Sequence, residues 1–215
     1  RERLPGTSSV YRVRTRPVAG RSKDLVVKWS RVGQDVPVSS TQAQEHGEFN
    51  SPFEEFALLA ELRRSRYGSP GVIRTHKPLA IYCPAGHVSP GRMGRKDYKF
   101  DAKKAKHIDI ELDICRKYVM IYEWIRGVAV TESNLLAEEI ERLDAEVHRE
   151  VERKGFTVAD RKPHHIIVRL DAAGRPIRDR KGETLYALVD FELLTRTGEH
   201  ERRIEHDRRT VYHRH

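Results

Sequence analysis

The sequence predicts an α+β chain in two lobes. Three observations carry that expectation: short apolar strand segments crowd the first 125 residues around one amphipathic helix, a long helix with a clean apolar stripe follows, and a pair of short strands comes after it. The lobes are expected over 1–125 and 126–215.

The strands open the chain. Val10-Tyr11-Arg12-Val13-Arg14 alternates apolar and basic residues, and Asp24 to Trp29 holds the β-branched run Leu25-Val26-Val27. Residues 31–52 are rich in Ser, Gln, Gly and Pro and read as a loop. Ser51 then caps a helix, Pro52 suits its first position, Glu54 and Glu55 suit its positive end, and Phe56, Leu59 and Leu62 form its apolar face. After the turn Gly68-Ser69-Pro70-Gly71 come Val72-Ile73-Arg74 and Leu79 to Tyr82 as a further strand candidate; residues 84–107 read as irregular and basic. Tyr118 to Tyr122 is the next buried strand, stopped at Gly127. Leu136, Ile140, Leu143, Val147 and Val151 recur at helical spacing until Gly155 ends the run. Ile166 to Val168 and Leu185 to Val189 are short strands flanking a polar, Gly-containing connection.

Composition bounds the rest. The chain has 215 residues, a net charge of +9 and 38% hydrophobic residues, with a mean hydropathy of −0.69 and a pI near 9.7. That length can bury one sizeable core or two joined lobes, and the apolar share lies above the disordered class. No apolar run approaches the roughly 18 residues of a membrane span, and no signal-peptide pattern opens the chain. The first residue is Arg1 rather than Met, so a trimmed N-terminus is expected. Two cysteines, Cys83 and Cys115, form no disulfide framework, which favours a reducing compartment and a cytoplasmic location. With His87 and His107 they lack any zinc-type spacing.

The sharpest local signal is Asp160-Arg161-Lys162-Pro163-His164-His165-Ile166-Ile167-Val168, between the long helix and a strand. It resembles the catalytic loop of protein kinases, written HRDLKPENILL, with Asp, Lys, Pro and the apolar tail in register. Leu188-Val189-Asp190-Phe191-Glu192 is similar to that family's DFG segment, with Glu in place of Gly. Leu25-Val26-Val27-Lys28 resembles the VAIK strand, and Glu55, with the later Ser69-Pro70-Gly71-Val72-Ile73, resembles the helix Glu and the HPNIV turn. Tyr122-Glu123-Trp124-Ile125-Arg126-Gly127 is similar to a gatekeeper and hinge of atypical and small-molecule kinases.

The resemblance implies a protein-kinase-like fold, nearer to RIO-like or lipopolysaccharide-kinase-like branches. It implies an antiparallel N-lobe sheet with one helix and a reduced helical C-lobe, minimal, truncated or completed by another chain. It further implies an ATP-dependent phosphotransferase using Mg²⁺ or Mn²⁺, with a protein hydroxyl, a sugar or another small molecule as acceptor. Lys28 would hold the nucleotide phosphates and Glu55 would hold Lys28. Glu123, Trp124 and Ile125 would meet the adenine edge. Asp190 would bind the metal, Asp160 would orient the acceptor hydroxyl, and Lys162 would stabilise the migrating phosphoryl group.

The departures from the family pattern are specific. His165 stands where the family has a metal-binding Asn, Glu192 where it has Gly, Val158-Ala159 where it has His-Arg, and Leu4 to Tyr11 holds one Gly where it has a glycine-rich loop. These residues set out two rivals: a pseudokinase scaffold that binds nucleotide without transfer, and a basic RNA- or ribosome-associated module. For the latter, Lys103, Lys104 and Lys106 with the tail residues Arg202, Arg203, Arg208 and Arg209 would track RNA or an acidic partner.

Overall fold

The computed structural model describes residues 1–5, 8–37, 47–64, 73–107 and 109–212, with side chains described as far as Arg208. Gly6 and Thr7 of the glycine-poor loop, the Ser69-Pro70-Gly71-Val72 turn and the terminal His213 and His215 lie outside the described residues. The chain divides into two compact units, one of Arg1–Ala57 and His76–Trp124, the other of Leu58–Thr75 and Ile125–His215. It is α+β, with antiparallel sheets and four α-helices among the described residues. None of those helices is long and apolar enough to cross a membrane.

The first unit is built on a five-stranded antiparallel sheet, β1 (Glu2–Arg3), β2 (Val10–Arg14), β3 (Asp24–Trp29), β4 (Pro78–Tyr82) and β5 (Val119–Glu123), in the order β1-β2-β3-β5-β4. Residues paired directly across antiparallel strands share a face, so register sorts the side chains. Val10, Lys28, Met120 and Ile81 form one row, and Arg12, Val26, Tyr122 and Pro78 its neighbour on the same face. The opposite face carries the row Trp29, Val119, Tyr82 and the row Arg3, Tyr11, Val27, Ile121, Ala80. Pairing slips between Pro78 and Ala80, as suits an edge strand that begins with a residue lacking an N–H.

Helix α1 (Pro52–Arg64) starts where sequence places it. The Ser51 N–H donates to Glu54 at 2.6 Å and the Glu54 N–H to the Ser51 hydroxyl at 3.1 Å, a reciprocal box at the helix start. The helix α2 (Asp97–Lys106) corrects the expectation of an irregular stretch over 84–107. Phe100 of α2 is buried with Val32, Leu112 and Tyr118, and Phe53 packs on that cluster. Burying each such side chain contributes about 1.5–3 kcal/mol.

The second unit holds the C-terminal part of α1, helix α3 (Ala137–Arg153) and helix α4 (Gly198–Tyr212). Its strands are β6 (Val128–Ala129), β7 (Phe156–Val158), β8 (Ile166–Val168), β9 (Tyr186–Leu188) and β10 (Leu194–Arg196). β8 lies between β6 and β9, and β7 pairs with β10, all antiparallel. α3 packs on β7 with Leu143, Val147 and Val151 buried, the stripe expected from their spacing. Gly127 has to be glycine, because a Cβ there would lie 2.3 Å from the Val168 carbonyl oxygen.

Candidate functional site

In the first unit, the register of β3 turns Lys28 to the same face as Met120 and Tyr122. There Lys28 Nζ lies 3.9 Å from Glu55 Oε1, both side chains at most 5% exposed. The Tyr122 hydroxyl donates a short hydrogen bond to that same carboxylate oxygen. The His76 ring stacks flat on Tyr122, with centroids 3.9 Å apart and planes 9° apart. A lysine removed from water needs a fixed counter-charge, and Glu55 supplies it in an orientation that Tyr122 holds.

Glu54 has a different task. Its carboxylate meets Lys103 Nζ at 2.9 Å and His107 Nε2 at 3.0 Å. Burial would raise its pKa, but Lys103, the Ser51 N–H and His107 hold it below its ordinary range. Neighbouring acids in one helical turn point about 100° apart, so one reaches β3 while the other reaches α2.

The Glu123 N–H donates to the Lys77 carbonyl at 2.9 Å and the Trp124 N–H to the Asp24 carbonyl at 3.4 Å, so both donors are engaged within the first unit. The Arg12 guanidinium lies over the Trp124 ring at 4.6 Å. Ile125 is half-buried and begins the second unit's later segment.

In the second unit, β7 runs into Ala159 and Asp160, a 3-10 turn spans Pro163–His165, and β8 leaves it at once. Lys162 Nζ lies 2.6 Å from Asp160 Oδ2. Beyond β9, Asp190 sits in the left-handed region at φ 68°, a conformation an Asp adopts at a cost. His165 and Asp190 are drawn together: the Val189 N–H donates to the His165 carbonyl at 2.9 Å, and His165 Nε2 lies 3.6 Å from Asp190 Oδ2. Burial lowers the His165 pKa below 6.5 although Asp190 opposes the shift, which favours a neutral imidazole with a lone pair to offer. Phe191 is fully buried and Glu192 nearly so.

The basic segment is not the open surface expected of it. Arg95, Lys99 and Lys103 are buried, with Lys99 3.0 Å from Asp35 and Lys103 paired with Glu48 and Glu54. Arg95 donates to the carbonyls of Ile114 and Arg116 at 2.6 and 2.7 Å. Lys104 and Lys106 are exposed, the latter 2.9 Å from Glu48. Arg202, Arg203 and Arg208 lie on the exposed surface of α4.

Sequence reasoning missed the hydroxyl of Tyr122 as the group that fixes Glu55 and the stacking of His76 upon it. The only sequence signal was the parity of Lys28, Met120 and Tyr122 along paired strands, which needs the register to be known.

No protein-family model matches the chain, and no curated protein matches it. Among solved structures it is similar to WbdD in complex with the kinase inhibitor LY294002, with 14% identity and a TM-score of 0.36 over 82% of this chain and 31% of that one. A 2.2 Å crystal structure of WbdD gives 15% identity and a TM-score of 0.35 over 85% of this chain and 32% of that one. The chain therefore spans about a third of the length of the WbdD chains it matches.

Proposed function

We propose that the chain is an ATP-dependent phosphotransferase of the protein-kinase-like kind, moving a γ-phosphate to a hydroxyl acceptor. The observation that carries the reading is the buried Lys28–Glu55 pair at 3.9 Å, since a strand lysine held by a helix glutamate is what a phosphate-holding cation needs. Within the second unit, the Asp160–Lys162 pair at 2.6 Å is a separate observation that supports the same reading.

The donor set suits a divalent cation. Asp190 offers carboxylate oxygen and His165 an imidazole nitrogen, and Mg²⁺-type sites use one or two protein ligands with phosphate oxygens and water completing the shell. The nitrogen donor shifts the preference towards Mn²⁺. Such an ion, when bound, neutralises phosphate oxygens during transfer.

In this reading Lys28 holds phosphate oxygens by charge and Glu55 keeps its ammonium in place. Asp160 accepts the hydrogen bond of the acceptor hydroxyl and orients it for attack, taking its proton as the hydroxyl oxygen bonds to the γ-phosphorus and the bond from that phosphorus to the bridging oxygen breaks, ADP leaving with the electron pair. Lys162, beside Asp160, supplies positive charge to the transferring group. With the N–H groups of Glu123 and Trp124 already engaged, adenine recognition by this segment falls to carbonyl oxygens and to Ile125.

A second reading, nucleotide binding without transfer, has its own observation: His165 takes the place of an amide and sits against Asp190. One experiment separates the two. Phosphate transfer and ATP affinity are measured with Mg²⁺ and with Mn²⁺ for the parent chain, Asp160→Ala and Lys28→Met. Phosphotransfer predicts that Asp160→Ala lowers turnover about 10²–10⁴-fold with ATP affinity retained, while Lys28→Met lowers affinity. Binding without turnover in the parent favours the second reading; no nucleotide binding at all removes both.

A further inference from the structure

The sheet of the first unit has a face that the phosphotransfer chemistry does not use. Lys28 and Tyr122 lie on one side with Glu55. On the other side Trp29 and Tyr82 flank Val119 in a single row, 40% and 57% exposed. Strands are spaced about 4.8 Å apart, so the backbones that carry the two aromatics, with β5 between them, stand roughly 10 Å apart. Tyr11 occupies the next row, on β2 next to the Trp29 strand β3, and pairs with Arg3 of β1.

Cations are interleaved with these rings. Lys117 Nζ lies 4.4 Å from the centre of the Trp29 ring, and the Arg1 guanidinium lies 5.6 Å from that of Tyr11. Arg1, Arg3 and Lys117 make no ion pair among the described residues, unlike Lys99 and Lys103 of α2, which carboxylates neutralise. An apolar protein partner would cover the rings but leave these cations without counter-charge in a drying interface. An acidic peptide would answer the charge and leave the ring faces unused. A single-stranded nucleic acid answers both, because each base has a face that stacks and each linkage carries a phosphate.

We infer that this sheet face binds single-stranded nucleic acid, with Trp29, Tyr82 and Tyr11 as stacking platforms and Lys117, Arg3 and Arg1 as phosphate contacts. The site is separate from the proposed phosphotransfer residues and stands whether or not that reading does. It moves the anion-binding surface from α2, whose lysines are mostly engaged, to the sheet.

The test is fluorescence anisotropy of labelled oligo-uridine RNA and oligo-dT DNA, each of about a dozen nucleotides, against the full chain between about 50 and 200 mM salt. Binding should weaken steeply with salt, and Tyr82→Ala should weaken it about tenfold, as loss of one stacked base does. Lys117→Ala should lower the salt slope by about one phosphate contact. In a Trp124→Phe background the remaining tryptophan is Trp29, and its emission should be quenched on titration. Tyr82 is exposed and Lys117 is half-buried against the Trp29 ring, and circular dichroism should show both variants folded; Trp29→Phe, which keeps a ring, should retain most of the binding. Tighter binding of RNA than DNA would add a 2′-hydroxyl contact to the site. No binding at low salt overturns the proposal. So does binding that Tyr82→Ala and Lys117→Ala leave unchanged, which would put the nucleic acid elsewhere, as would self-association through this face in sedimentation.

Discussion

Glu55 and Lys28 meet in the interior of the first unit at 3.9 Å, and the hydroxyl of Tyr122 donates to the same Glu55 oxygen that faces the lysine. The three residues come from a helix and two paired strands, so the position of the ammonium depends on all of them. A buried carboxylate deprived of a donor is costly, because the lost hydrogen bond is not replaced by water.

Tyr122→Phe removes that donor and almost nothing else. The expected cost is about 1.5–3 kcal/mol in urea unfolding, the range for a hydrogen bond to a charged group. The loss should shrink sharply in a Glu55→Gln background, where the acceptor is no longer charged. Equal losses in both backgrounds would mean that the hydroxyl acts through packing alone.

A second ionic cluster secures the other unit. Arg196 Nη2 lies 2.6 Å from Glu61 Oε2 and His200 Nε2 lies 2.7 Å from Glu61 Oε1, with the His200 ring tilted on Phe156. Burial would raise the Glu61 pKa, but hydrogen bonds from Arg196 and His200 outweigh it and hold the group below 4.5. Its folded pKa being depressed, Glu61 stabilises fully above about pH 4.5 and loses that contribution as pH falls through the folded value. Glu61→Gln should cost about 1–3 kcal/mol at neutral pH, since the cluster is only partly shielded from water. The difference from the parent should close in strong acid; a difference that persists there would assign the loss to shape rather than charge.

The pH response above that range should come from histidine. His148 on α3 is buried, with Asp144 Oδ1 3.5 Å from its Nε2. Burial lowers its pKa below 6.5 against the pull of Asp144, and Arg161 adds to the lowering. Between its folded value and about pH 6.5 the unfolded chain binds more protons, so stability is full above that window and declines as pH falls through it. His165 shifts in the same direction. Thermal midpoints recorded between about pH 7 and pH 5 should therefore fall, and His148→Gln should flatten part of the decline. A parent whose midpoint rises towards pH 5 would contradict the sign.

Much of this was legible in the sequence wherever neighbours in the chain are neighbours in space. The α3 stripe, the Ser51 cap and the β8–β9 pair follow from spacing and turn chemistry alone. What escaped depends on partners far along the chain. Lys99 and Lys103 read as solvated because the acids that pair with them, Asp35, Glu48 and Glu54, arrive from distant segments of the chain. For the same reason a helix was read as an irregular basic stretch, its charged face hiding the single buried Phe100. The pairing of β7 with β10 also depends on distant chain, since each strand has three residues and no pattern of its own. Among the site residues, Glu55 over Glu54 was a choice between adjacent acids that only the helix direction decides.

Asp190 carries the last expectation. Its φ of 68° lies where a side chain costs roughly 1 kcal/mol and glycine nothing. A position held so is a candidate for function because the chain tolerates the strain instead of relieving it. Asp190→Gly should then be more stable than Asp190→Ala by about 1 kcal/mol in denaturant unfolding. Both variants lack the carboxylate, so metal-dependent ATP binding should fall equally in the two, measured calorimetrically with Mn²⁺. The glycine variant would thus match the parent in stability or exceed it while losing the metal response, the pattern expected when strain serves a site. Should Asp190→Gly keep full metal-dependent binding, the carboxylate is not a ligand and the strain at Asp190 has a purely local cause.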